Sequence, residues 1–245
     1  MKKLIFYLTI FCLLILNFKT SRTIVLENLI TENILEKSLS NNKIGYYLGS
    51  FDPIHKGHEN VIQNILDQKL CDYVLVYPAW GGDNFKNRTD VKIRLKMLFA
   101  IFENHKHVIV TKLKPLKLQE NLINLKTEYI GIIGSDLALY GAKDEKTREE
   151  FMSGKKITKD FKKHTYGCII ALPVKSFIVA IRSGDNIKNL DNKIGTRNIL
   201  AIVETNFPDI SSTIIRNFVK EDKNLDIYIN NKIIEVINNY NLYKN

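Results

Sequence analysis

The chain has 245 residues, 45% of them hydrophobic, and a formal net charge of +10. That length and apolar content exclude a wholly disordered chain and leave room for one ordinary core or two small ones. The excess of Lys and Arg points to anionic partners (phosphorylated small molecules, acidic lipid or nucleic acid) without choosing among them. Three cysteines, Cys12, Cys71 and Cys168, give neither a disulfide framework nor the spacing of a zinc site.

The N-terminal stretch MKKLIFYLTIFCLLILNFKTS reads as a targeting segment, residues 1–21. Lys2 and Lys3 form a positive start, and Leu4–Leu16 is an apolar run of 13 residues, short for a membrane span and typical of a signal-peptide core. A poor cleavage site at Thr20-Ser21 leaves an uncleaved anchor open. Residues 22–42 carry Ile24, Leu29, Ile30, Ile34, Leu35 and Leu39 at helical spacing, the pattern of a linker or extra helix.

From Lys43 to Asn245 short apolar runs alternate with amphipathic stretches, as one domain. KIGYYL, DYVLVYP, HVIVT and YIGIIGSD are expected as strands, separated by the helices HENVIQNILDQ, DVKIRLKMLFAIFEN and LQENLINLK. Nearly continuous apolar strands in alternation with helices define an α/β, doubly wound, Rossmann-like parallel sheet with helices on both faces. Residues 137–165 are polar and poorly periodic, and read as an insertion. CIIALPV, SFIVAIR and NILAIVE are expected as further strands, and the C-terminal DIYINNKIIEVINNYNLY as a closing helix.

Two motifs carry chemistry. GSFDPIHKGH, residues 49–58, follows the first expected strand, where open α/β sheets bind ligands. Gly49 opens the backbone to a phosphate, with Ser50 and Phe51 beside it, and Asp52-Pro53 turns the chain. His55 and His58 stand at the entrance of a helix, where open N–H groups and the dipole favour anions. The second motif is DISSTIIRNF, residues 209–218. Ser211, Ser212 and Thr213 supply caps and donors at a helix start, and Arg216 a fixed cation suited to triphosphate oxygens. Either motif alone has a bland explanation, a surface histidine or an ordinary N-cap. Two anion sites in one domain do not.

GSFDPIHKGH resembles the HxGH signature of the nucleotidyltransferase superfamily, and ISSTIIR resembles the ISSTxIR motif of nicotinate and nicotinamide mononucleotide adenylyltransferases. The resemblance implies transfer of AMP from ATP to a pyridine mononucleotide, with Mg²⁺ carried by ATP, and His55, His58 and Arg216 as catalytic residues. IGSD resembles the family's IGxD, which implies a ribose contact for Asp136. Arg94 and Met97 in IRLKML resemble an arginine–methionine pair on the family's second helix, and FIVAIRSG resembles a strand ending in Arg-Pro-Gly, with Ser183 in place of proline. Lys86 is a weaker match to a lysine of the substrate loop.

The departures fall on the acceptor side. The family's tryptophan after IGxD is missing, so Trp80, the chain's single tryptophan, or Tyr140 is left to stack on the pyridine ring. Rival readings are a pantetheine-phosphate adenylyltransferase, a CTP-dependent cytidylyltransferase, or a non-catalytic nucleotide-binding protein. Basic residues interleaved with stacking aromatics are missing, which argues against nucleic acid as partner. Membrane contact would come only through an uncleaved leader, and a homo-oligomer stays open. The leader argues for export or membrane anchoring; the substrates argue for the cytoplasm.

Overall fold

The computed structural model describes residues 42–79, 88–111, 127–141, 172–182, 185, 187–188, 190–207 and 209–244, with Tyr140 and Gly141 as backbone only. All of them lie in one compact unit, Leu39–Asn245. Within it run β1 (Lys43–Gly49), α1 (Lys56–Asp67), β2 (Tyr73–Pro78), α2 (Val91–Phe102), β3 (Val108–Val110), β4 (Glu128–Gly134), α3 (Ser135–Gly141), β5 (Ser176–Arg182), β6 (Lys193–Ile194), β7 (Arg197–Thr205), α4 (Ser212–Lys220) and α5 (Asn231–Asn239).

The strands form one sheet in the order β3-β2-β1-β4-β5-β7-β6. All neighbouring pairs are parallel except the short β6–β7 hairpin. Ile44 of β1 stands level with Tyr73 of β2 on one side and Tyr129 of β4 on the other. The chain therefore leaves β1 in one direction and β4 in the other, and the switch point lies between them. Right-handed crossovers then place α1 and α2 on one face and α3 on the opposite one.

Burial explains why the strands read as apolar runs. Tyr47, Val74, Val76, Ile130, Ile132 and Ile178 point into a core shared with α1, α2, α4 and α5. The residues alternating with them, such as Leu75, Ile133, Phe177 and Val179, are no more than 1% exposed on the other face. β7 differs. Its Leu200 and Ile202 are nearly half exposed.

The structure corrects three sequence expectations about elements. Residues 135–141 are helical, so the stretch after Asp136 continues as regular structure to Gly141. Leu172–Val174 do not extend a strand: Pro173 has no N–H to give a ladder, and the Val174 N–H turns back to the Leu172 carbonyl at 2.8 Å. β6 was not expected at all, since two residues carry no periodicity. The leader, the linker up to residue 41, the expected helix LQENLINLK and residues 142–171 lie outside the described residues. Among the described residues no helix is long and apolar enough to cross a membrane.

Candidate active site

β1 delivers Gly49–His58 to the switch point, and β4 delivers Ser135 and Asp136 beside it. The loop folds onto itself. A Cβ on Gly49 would stand 2.8 Å from the Phe51 ring, and Phe51 adopts a left-handed φ of 46° to reach that position. Gly49 thus makes room for an aromatic side chain, where the sequence suggested open space for a phosphate. Phe51 is 1% exposed and packs edge-on against Tyr47 at 5.2 Å and His58 at 5.0 Å.

His55 caps α1. Its Nδ1 lies 3.4 Å from the His58 N–H, at the long limit of a hydrogen bond, and its carbonyl accepts the same N–H at 2.8 Å. The rings of His55 and His58 stack at 3.7 Å with 27° between their planes. Nε2 of His55 and Nδ1 of His58 are shielded from solvent and have no partner. Such orphans are rare enough in folded proteins to call for a missing one.

Burial is the main cause that holds His55 well below the ordinary imidazole range, followed by its neighbour His58 and then Arg182. Burial and then Arg182 push His58 down to about 3. Both rings are therefore neutral at pH 7 in the free protein. The sequence reading had them carrying positive charge as phosphate charge builds. In the structure they begin as neutral donors.

α4 closes on this loop from the other end of the chain. The Ser212 hydroxyl donates to the Pro53 carbonyl at 2.9 Å, and Arg216 Nη1 donates to the Asp52 carbonyl at 2.7 Å. A Cβ on Gly57 would come within 2.9 Å of Ile210 and 3.1 Å of the His55 ring, so this glycine is what lets the segment before α4 approach. The two motifs, bonded across separations of 159 and 164 residues, occupy one crevice.

The hydroxyls are more committed than their sequence suggested. Ser211 Oγ accepts the Ile214 N–H at 3.2 Å as the N-cap, and Thr213 Oγ1 accepts from Arg216 Nη2 at 3.1 Å. The groups left to meet an anion are the first-turn N–H groups of α4 and the charge of Arg216. Among the described residues no carboxylate lies within ion-pair distance of that guanidinium. At α1 the Lys56 N–H is taken by the Tyr228 carbonyl at 2.9 Å, so that helix start offers fewer open donors than expected.

Arg94 is the clearest correction. It is 1% exposed, and its Nε, Nη1 and Nη2 donate to the carbonyls of Thr89, Ser50 and Ala79 at 2.8, 2.7 and 2.6 Å. It clasps the loops around the site and does not face a substrate. Met97 beside it is fully buried core. Asp136 is exposed in the first turn of α3. Trp80, Lys86 and the Tyr140 side chain lie outside the described residues.

Two residues near the site escaped the sequence reading. Asp52, read there as a turn residue, is a buried carboxylate, 4% exposed, that accepts the Thr89 N–H at 2.9 Å and the Tyr243 hydroxyl at 2.6 Å. Arg182, at the end of β5, is exposed and acts on both imidazoles. Its strand had been matched to the family, and the cation at its tip was the available signal. The Arg182 N–H and the Ser135 hydroxyl both donate to Asp185 Oδ2, at 2.8 and 2.5 Å, which ties the tips of β4 and β5 together.

A switch-point crevice holding neutral imidazoles, an unpaired arginine and a helix start is the site of an α/β protein that binds phosphorylated ligands. A family model described as Cytidylyltransferase-like matches residues 46–218, well over half of the chain, and the chain belongs to that family. A relative from Fusobacterium nucleatum named "Probable nicotinate-nucleotide adenylyltransferase" is 28% identical over 198 residues, covering 80% of this chain and 96% of its own. One of the same name from Clostridium kluyveri is 28% identical over 208 residues, again covering 80% and 96%. The fold is similar to that of Plasmodium falciparum nicotinic acid mononucleotide adenylyltransferase complexed with NaAD, with a TM-score of 0.60, 22% identity, and coverage of 83% of this chain and 98% of that one.

Proposed function

We propose that the protein is a nucleotidyltransferase that moves AMP from ATP to nicotinic acid mononucleotide, or its nicotinamide counterpart, releasing pyrophosphate in NAD biosynthesis. The observation that carries this reading is the direct bonding of the two motifs, Ser212 to Pro53 and Arg216 to Asp52, which makes one phosphate cradle from both ends of the domain. Relatives of the same name spanning nearly their full length against this chain support the choice of acceptor.

In the reaction a phosphate oxygen of the mononucleotide attacks the α-phosphorus of ATP. The new P–O bond forms as the bond to the bridging α,β-oxygen breaks, and pyrophosphate departs with the electron pair. No covalent enzyme intermediate is required, so the protein's work is alignment and stabilisation of charge. His55 and His58 donate from neutral rings to the α-phosphate and the departing oxygens. Arg216 and the α4 N-terminus take the β- and γ-phosphates, and Asp136 holds a ribose hydroxyl. Mg²⁺ carried by ATP would screen the phosphate charge, and none of the residues named here would be needed to hold it.

The leader at residues 1–21 directs the chain to export or membrane anchoring, which N-terminal sequencing of the mature protein tests. The function itself is tested by pyrophosphate release from ATP or CTP against nicotinic acid mononucleotide, nicotinamide mononucleotide and 4′-phosphopantetheine. Turnover with ATP and a pyridine mononucleotide is expected. Turnover only with CTP or phosphopantetheine would reassign the acceptor, and ATP binding without turnover on any acceptor would make this a binding protein.

A further inference from the structure

The contact between Tyr243 and Asp52 joins residues 191 positions apart, and places the end of the chain on the catalytic loop. The three oxygens of Asp52 are held by three different segments. Oδ1 accepts from the Tyr243 hydroxyl at 2.6 Å, Oδ2 from the Thr89 N–H at 2.9 Å, and the carbonyl from Arg216 at 2.7 Å. Two residues earlier, the Ser50 carbonyl is gripped by Arg94. A buried carboxylate is costly unless paired, and here two hydrogen bonds and the nearby Arg94 guanidinium stabilise it.

The tail departs from regular structure to make this contact. After α5 the backbone takes left-handed φ values of 47° at Asn241 and 64° at Tyr243. Asparagine tolerates that region, but a bulky tyrosine rarely visits it, and such residues persist where the surroundings over-determine them. The base of the tail is strapped to α2: Lys232 Nζ donates to the Ala100 carbonyl at 3.0 Å, and Lys96 meets the Tyr240 hydroxyl. The Leu242 N–H closes on the Ile237 carbonyl at 2.9 Å. Burial and Asp52 raise Tyr243 far above the ordinary phenol range, so its hydroxyl remains a donor.

We propose that Tyr243 is a positioning residue for the active site: by gripping Asp52 it fixes the carbonyl to which Arg216 is bonded, and so sets the spacing between the arginine and the two histidines. The role in catalysis rests on the adenylyl-transfer reading of this site. Tyr243→Phe removes one hydroxyl and keeps the ring. It is expected to lower kcat about tenfold, with KM for ATP and acceptor within about twofold, because misplacement of aligned groups affects the transition state more than binding. Tm should fall by no more than about 4–8 °C, the equivalent of the two hydrogen bonds that join the hydroxyl to Asp52 and the Thr89 side chain.

If Tyr243 acts through Asp52, the double variant with Asp52→Asn loses no more kcat than the worse single variant. Unchanged kcat, a loss seen in KM alone, or losses that multiply in the double variant would overturn the proposal. Amide exchange across residues 50–58 of the full chain gives a readout independent of turnover. Faster exchange in Tyr243→Phe supports the latch and unchanged exchange refutes it, even if wild-type protein proves inactive on every acceptor or Asp52→Asn fails to fold.

Discussion

The loop after β1 and the start of α4 meet in the same crevice, yet they are built in opposite ways. The loop is buried: Phe51, Asp52 and His55 are all under 5% exposed, and both imidazoles are held neutral. α4 is the wetter partner, with Ser211, Ser212 and Arg216 half-buried and Thr213 exposed, and it keeps a permanent charge. The contrast separates two ways of meeting a polyanion. A neutral donor can be buried without the cost of a buried charge and strengthens as negative charge develops, whereas an accessible arginine attracts the triphosphate before chemistry begins.

That division predicts unequal kinetic roles. His58→Ala should lower kcat by on the order of 10²–10³-fold with little change in KM for ATP, the size seen when one donor to a transition-state oxyanion is removed. Steady-state pyrophosphate release measures it, and unchanged turnover would take the histidines out of the mechanism. Arg216→Ala should raise KM for ATP and lower kcat/KM by about 10²-fold, since it loses both a charged hydrogen bond to phosphate and the tie to Asp52. Arg216→Lys should recover part of the KM effect and little of kcat, because lysine restores charge without the planar fork. Equal kcat losses at His58 and Arg216, with KM untouched in both, would erase the distinction.

What the sequence made legible follows the same line. β1, β2, β4 and β5 were readable because residues covered on both faces form unbroken apolar runs. The two motifs were readable as positions, since glycine, proline, histidine and capping residues mark them locally. Their partners were not. Arg94 looks like any helical arginine until three carbonyls from separate loops converge on it. The hydroxyl of Ser212 looked available because its acceptor, the Pro53 carbonyl, is 159 positions away and fixed only by the fold, whereas the tie between Thr213 and Arg216 is local, three residues apart on α4. Asp52 was readable only as a turn residue of the first motif, and the hydrogen bond from Tyr243, 191 positions away, joins them only in the fold.

Gly57 is where the two regions touch, and its substitution tests the contact itself. In Gly57→Ala the new methyl would stand 2.9 Å from Ile210 and 3.1 Å from the His55 ring. Overpacking of that kind costs about 1–3 kcal/mol, against roughly 1 kcal/mol regained from alanine's helix propensity. A net loss of up to about 2 kcal/mol in urea unfolding is expected, accompanied by a rise in KM for ATP as α4 is pushed away. A variant as stable and as active as wild type would show that the loop and α4 do not close at this point.

The smallest effect is also the most direct test of imidazole neutrality. A histidine whose folded-state pKa lies below its unfolded value binds fewer protons folded than unfolded, so stability is unaffected at high pH and falls once the unfolded chain begins to protonate. For His58 the window runs from about 6.5, the ordinary imidazole value, down to about 3. Each fully buried histidine contributes a slope of at most about 1.4 kcal/mol per pH unit, and partial exposure of His58 reduces its share. Other carboxylates also titrate there, so the quantity to compare is the difference between wild type and a His55→Asn, His58→Asn double variant. Urea unfolding at pH 7.5 and 5.5 should show wild type losing more stability than the double variant between the two. Equal losses would mean that the rings titrate near the ordinary imidazole value in the folded protein, and a smaller loss in wild type than in the double variant would mean that they are already charged at neutral pH, making the loop a cationic cradle of the same kind as α4.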